Sequence, residues 1–183
     1  MASPDNLSHF LASVEKRAFG MAVVSVKNAD DALDIVQDAM FTLARKYSAK
    51  NSSEWAPIFY RVLNNRIMDF HRSNNRRAGL FGWLGIGEGS GQNELEQIAG
   101  PAQHNPDFIQ EVDRDTRLLL EAVAKLPVRQ QQAFLFFSWE GMDVKTTAKS
   151  MNCSEGSVKT HYSRAVHALR DKLGETLKGS DDG

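Results

Sequence analysis

The stretch from Leu126 to Leu173 constrains this chain most, because two helix breaks are followed there by one long amphipathic run. Pro127 stands where a helix can begin, since its missing N–H has no partner in a first turn anyway. Gly141 interrupts the run after Trp139, and the next helix is expected from about Asp143 to Met151. Asn152-Cys153-Ser154 is a tight joint. Asn tolerates the left-handed conformation that ends a helix, and Ser154 is a good N-cap for the next one. The last helix carries Val158, Tyr162, Ala165, Leu169 and Leu173, spaced by four, three, four and four, which is a single apolar stripe at helical period. Its other face shows Ser157, Lys159, Thr160, Ser163, Arg164 and His167. A short helix, a three-residue joint and a longer helix with a basic outer face make a helix-turn-helix, whose second helix fits the DNA major groove. A helical hairpin with a solvated basic face satisfies the same periodicity.

The rest of the chain narrows the choice. Its 183 residues allow one large or two small domains. The formal net charge is −1, so bulk basicity does not advertise nucleic acid. Charge is segregated instead. Asp30, Asp31, Asp34 and Asp38 crowd one stretch, and Arg61, Arg66, Arg72, Arg76 and Arg77 another. Local basic patches on a near-neutral chain suit a protein that meets DNA together with a partner. Cys153 is the only cysteine, which leaves no intramolecular disulfide and no Cys-based metal site. No signal peptide is evident at the N-terminus and no apolar run approaches the ~20 residues of a membrane span, so a cytoplasmic protein is expected.

Taken in order, Leu7, Phe10, Leu11, Val14, Ala18 and Met21 predict a helix over about 5–27. Asn28 or Asp30 caps a second helix whose expected buried stripe is Leu33, Val36, Met40, Leu43 and Tyr47, with Asp31, Asp34, Gln37 and Asp38 off that stripe. These aspartates form a solvated acidic face or a docking surface, and no fixed ligand spacing makes them a metal site. A third helix follows Ser53, with Pro57 expected in its first turn. Ile58, Phe59, Val62, Leu63, Ile67 and Phe70 line one side of it, and Arg61, Asn64, Asn65, Arg66, Asp69, Arg72 and Arg76 the rest. Residues 79–107 carry seven glycines and two prolines and read as a linker, with an apolar segment at 79–86. Asp107 is expected to cap a helix bearing Leu118, Leu119, Leu120, Val123 and Leu126. The tail from 176 to 183 is expected to fray.

Three strings together resemble one family. LPVRQ followed by SEGSVKTHYSRA resembles the promoter-reading domain of bacterial RNA polymerase sigma factors. DALDIVQDAMFTLARKY is similar to the pattern of the extracytoplasmic-function (ECF) group, with Asp34, Ile35, Val36, Gln37 and Asp38 at its five core positions. FYRVLNNRIMDFHR matches that group's pattern through Tyr60, Arg61, Val62, Asn65 and Asp69, although Ile58 stands where the family often has Trp, and Trp55 comes earlier. The resemblance covers nearly the whole chain. It implies an all-α protein of two helical domains joined by a flexible linker: an N-terminal domain at 1–78, a linker at 79–107 and a C-terminal helix-turn-helix domain at 108–175.

It further implies a non-enzymatic promoter-specificity subunit with no catalytic residue, metal or cofactor. Asp34, Gln37 and Asp38 would bind core RNA polymerase. Asn65, Arg66, Arg72 and Arg76 would meet the −10 element, where unstacked bases need a basic track and polar edges. Ser154, Ser157, Lys159, Thr160, Ser163 and Arg164 would meet the −35 element in the major groove. Core polymerase and promoter DNA are the implied partners, with an anti-sigma factor as a further partner class. A stand-alone helix-turn-helix regulator is the alternative. A hydrolase built from the aspartates and His71 would need a convergent pocket that the helical pattern does not require. As a flexible coil the linker spans roughly 30 Å and fully extended ~95 Å, whereas the two promoter elements lie more than ~35 Å apart. The free chain is therefore expected to be able to close up and the promoter-bound chain to extend.

Overall fold

The structure is a computed structural model. It describes the backbone of residues 4–83 and 114–178, and the side chains of 6–76 and 114–174 within them. Among the described residues every regular element is a helix: α1 (Pro4–Val26), α2 (Ala29–Tyr47), α3 (Ser52–Trp83), α4 (Arg114–Ala124), α5 (Val128–Phe134), α6 (Val144–Met151) and α7 (Glu155–Lys178). Phe134 leads directly into one wide π turn, Leu135–Trp139, which the periodicity did not announce.

α1, α2 and α3 pack on one another. Val14, Ala18 and Met21 of the expected α1 stripe are buried, and Phe10 sits against Trp55 and Phe59 at ring distances of 5.8 and 6.2 Å. Beyond Met21 the helix is buried all round, through Ala22, Val23, Val24, Ser25 and Val26, because α4 covers the side that α2 and α3 leave open. Asn28 caps α2 by accepting the Asp31 N–H at 3.0 Å.

The α2 stripe is rotated from the expected one. Ala32, Ile35, Val36, Ala39 and Leu43 are buried, while Leu33 is 43 % exposed. Small residues let α1 and α3 approach closely, which turns the larger Leu33 outward. α3 starts one residue before Ser53, and Pro57 lies inside the helix rather than in its first turn. Asn51 caps it, its N–H reaching back to the Glu54 carboxylate at 3.3 Å as in a capping box. Trp55 is buried, with its indole N–H on the Tyr47 carbonyl at 3.3 Å. α3 runs on through Trp83, past the expected boundary at 78, so the first part of the apolar segment 79–86 continues a helix. The expected cap at Asp107 lies outside the described residues.

α4 to α7 build the second helical unit. Leu120, Val123 and Leu126 meet Val158, Ala165 and Leu169 of the long last helix in one buried core. That helix continues over Gly174 to Lys178, beyond the boundary expected at 175. The two units are packed together. α3 lies against α6 and α1 against α4, and an aromatic chain runs from Phe59 through Tyr60 to Phe136 at ring distances of 5.2 and 6.1 Å. No described helix is long and apolar enough to cross a membrane.

Candidate DNA interface and docking face

The helix-turn-helix is set by local chemistry. Gly141 takes φ +65, a value glycine adopts at little cost. Asp143 caps α6, accepting the Thr146 N–H at 2.6 Å, and that bond holds its carboxyl below the usual carboxylate range. α6 ends on Asn152 in the left-handed region, φ 51 and ψ 53. The N–H groups of Cys153 and Asn152 return to the carbonyls of Ala148 at 3.1 Å and Lys149 at 3.4 Å, the bond pair of a Schellman ending. Ser154 Oγ then accepts the Ser157 N–H at 3.1 Å and caps α7. Arg129, from the LPVRQ string, donates to the Met151 carbonyl at 2.8 Å. It thus pins the end of α6 from α5, a role the sequence did not disclose. Tyr162 fixes the rotation of α7, its ring 4.7 Å from Phe137 and its hydroxyl 3.2 Å from Ser138 Oγ. Burial raises the Cys153 thiol pKa, which suits a packed turn rather than a reactive thiol.

With Val158, Ala165 and Leu169 buried, α7 turns Lys159, Thr160, Ser163, Arg164 and His167 to solvent. The six expected −35 residues thus divide. Lys159, Ser163 and Arg164 are exposed on the outer face. Thr160 is exposed too, and its hydroxyl donates back to the Gly156 carbonyl at 3.0 Å. Ser154 and Ser157 are joined through their hydroxyls at 2.9 Å and shape the helix start.

The acidic residues of α2 form a second surface. Asp34, Gln37 and Asp38 are all exposed. They line an open depression with Ile35, Phe41 and Arg66. Phe41 is 65 % exposed, with the Arg45 guanidinium 6.0 Å over its ring. Acids around exposed Leu33 and Phe41 make a mixed surface of the kind that binds protein. Among the described residues no three His, Cys, Asp or Glu groups come together to hold a metal.

The residues expected at the −10 element also divide. Asn65, Asp69, Arg72 and Arg76 recur every three or four positions and share one face of α3. Arg66 is about a quarter turn round the helix and pairs with Asp38 at 3.4 Å, so it joins the acidic depression. Arg72 pairs with Asp69 at 3.1 Å. The Asn65 and Arg72 face does not look onto open solvent alone. It forms one side of a cleft whose other side is Arg129, Met151 and Asn152 of the helix-turn-helix. Sequence periodicity carried no signal for that meeting.

The chain is similar to known proteins over most of its length. The sigma-70 region 4 family model matches residues 116–169, which span α4 to most of α7. The sigma factor SigV of Bacillus subtilis (strain 168) is 25% identical over 156 residues, covering 85% of this chain and 83% of that protein. The sigma-E factor of Streptomyces antibioticus is 31% identical over 84 residues, 44% of this chain and 46% of its own. The sigma factor RpoE of Bartonella quintana, solved in complex with the anti-sigma factor NepR, superposes with a TM-score of 0.67 at 22% identity, covering 91% of this chain and 96% of that one, and shows the same fold. A helix-turn-helix locked at its turn and a separate acidic face on α2 thus stand in a chain whose residues 116–169 match sigma-70 region 4 and which is similar to RNA polymerase sigma factors along most of its length.

Proposed function

We propose that this chain binds core RNA polymerase, directs it to promoters and supports strand opening, without catalysing a reaction itself. The observation that carries the proposal is the spatial separation of an acidic, apolar-studded face on α2 from a basic outer face on α7. One surface suits protein and the other suits duplex. Asp34, Gln37 and Asp38 dock the polymerase, with Phe41 and Leu33 supplying apolar contact beside them. Lys159, Thr160, Ser163 and Arg164 reach base edges and phosphates of the −35 element, while Ser154 and Ser157 hold the start of the helix that carries them. Asn65, Arg72 and Arg76 form the basic track of α3 for the −10 element, and Arg66 bridges that track to the docking face. The protein works in the cytoplasm, where polymerase and promoter are. A protein inhibitor is a further partner class to test, since the RpoE structure is of a sigma factor bound to one.

Co-purification tests this directly. The chain should assemble with core polymerase and gain promoter binding that neither component shows alone. Tight, specific duplex binding without polymerase, and no assembly with it, would contradict the proposal.

A further inference from the structure

A helix leaves its last four carbonyls without partners of its own, and in α6 each of the four finds one elsewhere. The Ala148 and Lys149 carbonyls take the returning N–H groups of Cys153 and Asn152 at 3.1 and 3.4 Å. The Ser150 carbonyl accepts Asn64 Nδ2 of α3 at 3.1 Å. The Met151 carbonyl accepts Arg129 Nη1 of α5 at 2.8 Å. This last bond differs from the rest. It comes from a charged side chain, and it joins α6 to another helix of the same unit. A hydrogen bond from a guanidinium is stronger than a neutral one, and a cation at this end of a helix also opposes the negative pole of the helix dipole.

α5 is placed to act as the anchor. Pro127 sets its start, with its carbonyl accepting the Gln130 and Gln131 N–H groups at 2.9 and 3.0 Å. The Gln131 side chain donates to the Val123 carbonyl of α4 at 3.1 Å and to the Val24 carbonyl of α1 at 3.4 Å. Glu140, past the π turn, accepts a hydrogen bond from the Tyr60 hydroxyl of α3. α5 also packs along α7, where Phe134 stacks on Tyr162 at a ring distance of 6.3 Å. It therefore grips α7 through Phe134 and α6 through Arg129, and the two grips fix the angle at the Asn152 turn. The charge of half-buried Arg129 reaches α7 itself. Burial first, then Arg129 and Arg164, hold the His161 imidazole below its ordinary pKa.

Lys159, Thr160, Ser163 and Arg164 all ride on α7, so a change in that angle displaces them together. Hydrogen bonds to base edges weaken steeply when misaligned, and sequence discrimination is what such a displacement removes. We propose that Arg129 is a positioning residue for −35 recognition: by closing the end of α6 it sets the angle at which α7 meets the duplex, without touching DNA. Its target rests on the sigma-factor reading above, and its geometry needs only α5, α6 and α7.

The test assembles the full chain with core polymerase. It measures binding, across a salt series, to a promoter fragment that this holoenzyme transcribes and to the same fragment with its −35 element scrambled. Arg129→Met removes the charge and the donors and keeps most of the side-chain length. It should weaken binding to the intact fragment at least tenfold, leave the scrambled one within twofold, and leave the salt slope unchanged. Arg129→Lys, which keeps a charged donor without the planar fork, should recover part of the loss. Histidine NMR of the free chain is an independent readout, with the His161 signal assigned by its absence in His161→Gln. The His161 titration should move to higher pH in Arg129→Met, because a neighbouring positive charge is gone, and less so in Arg129→Lys. An equal fractional loss on both fragments would overturn the proposal, and a flatter salt slope with it would make Arg129 a phosphate contact. Unchanged discrimination in Arg129→Met would overturn it too, as would an unmoved His161 titration. A parent holoenzyme with no preference for the intact fragment would instead sink the sigma-factor reading, and is told apart because the His161 shift is read without DNA.

Discussion

Reversing charge on α2 should separate docking from folding. The perturbation is Asp34→Arg with Asp38→Arg. Asp38 is 63 % exposed and its partner Arg66 43 %, at 3.4 Å. An exposed pair of that kind contributes about 0.2–1 kcal/mol. Setting a new guanidinium beside Arg66 adds a repulsion of similar small size, and among the described residues Asp34 forms no ion pair. The buried stripe of Ala32, Ile35, Val36, Ala39 and Leu43 is untouched. The whole cost to folding is therefore about 1–2 kcal/mol, a drop in Tm of roughly 2–8 °C for a chain of this length. Docking should respond on another scale. Like charges brought together at an interface cost several kcal/mol, and about 3 kcal/mol is already more than a hundredfold in Kd. Thermal melting gives the first quantity, and anisotropy of labelled protein titrated with core polymerase gives the second. A double variant that melts near the parent and binds core enzyme with unchanged affinity would refute the assignment of this face.

Three further outcomes are expected. Lys159→Ala and Arg164→Ala should weaken promoter binding: a phosphate contact costs affinity on every sequence and flattens the salt dependence, whereas a base contact costs ~1–3 kcal/mol on the cognate site only, so salt titrations on cognate and scrambled duplexes sort them. Burial, with Lys27 nearby, holds the His71 imidazole below its ordinary pKa of 6.5, so the folded chain favours the neutral ring, the full benefit is present above about pH 6.5, and it is lost as pH falls toward the folded value. Urea midpoints should accordingly decline on acidification through that window, and less so in His71→Gln. At Asn152, φ 51, Asn152→Gly should be within a few tenths of a kcal/mol of neutral while Asn152→Val should cost about 1–2 kcal/mol, measured by denaturant unfolding.

What the sequence disclosed follows how local each signal is. The turn at Asn152 and Ser154 was legible because an αL residue and an N-cap act within four positions of themselves. The α7 stripe was legible because its neighbours α4, α5 and α6 all lie on one side of the helix and bury a single face. The α2 stripe was rotated because Ala32 and Ala39 weigh little as hydrophobic residues, yet they permit the close helix approach that buries Ile35 and exposes Leu33. The continuous burial of 21–26 in α1 follows from a third neighbour, α4, distant in sequence. Pro57 stays within α3 because it stands close to the helix start, where Asn51 and Glu54 hold the first turn. Tyr60, Asn64, Gln131 and Glu140 carried no signal for their meeting, since polar residues on predicted helices look like surface. Arg66 shows the same limit on the site, since its place in a basic run did not indicate that Asp38 would claim it. Arg76, the last residue expected at the −10 element, is exposed on α3.

The most direct measurement is run-off transcription with purified core polymerase, this chain and a pool of genomic promoter fragments. The account predicts discrete transcripts that core polymerase alone does not make, starting downstream of a shared two-part motif and lost with the Asp34→Arg, Asp38→Arg double variant. Transcript output identical with and without the chain, alongside specific duplex binding by the chain on its own, would contradict it and leave a stand-alone DNA-binding regulator.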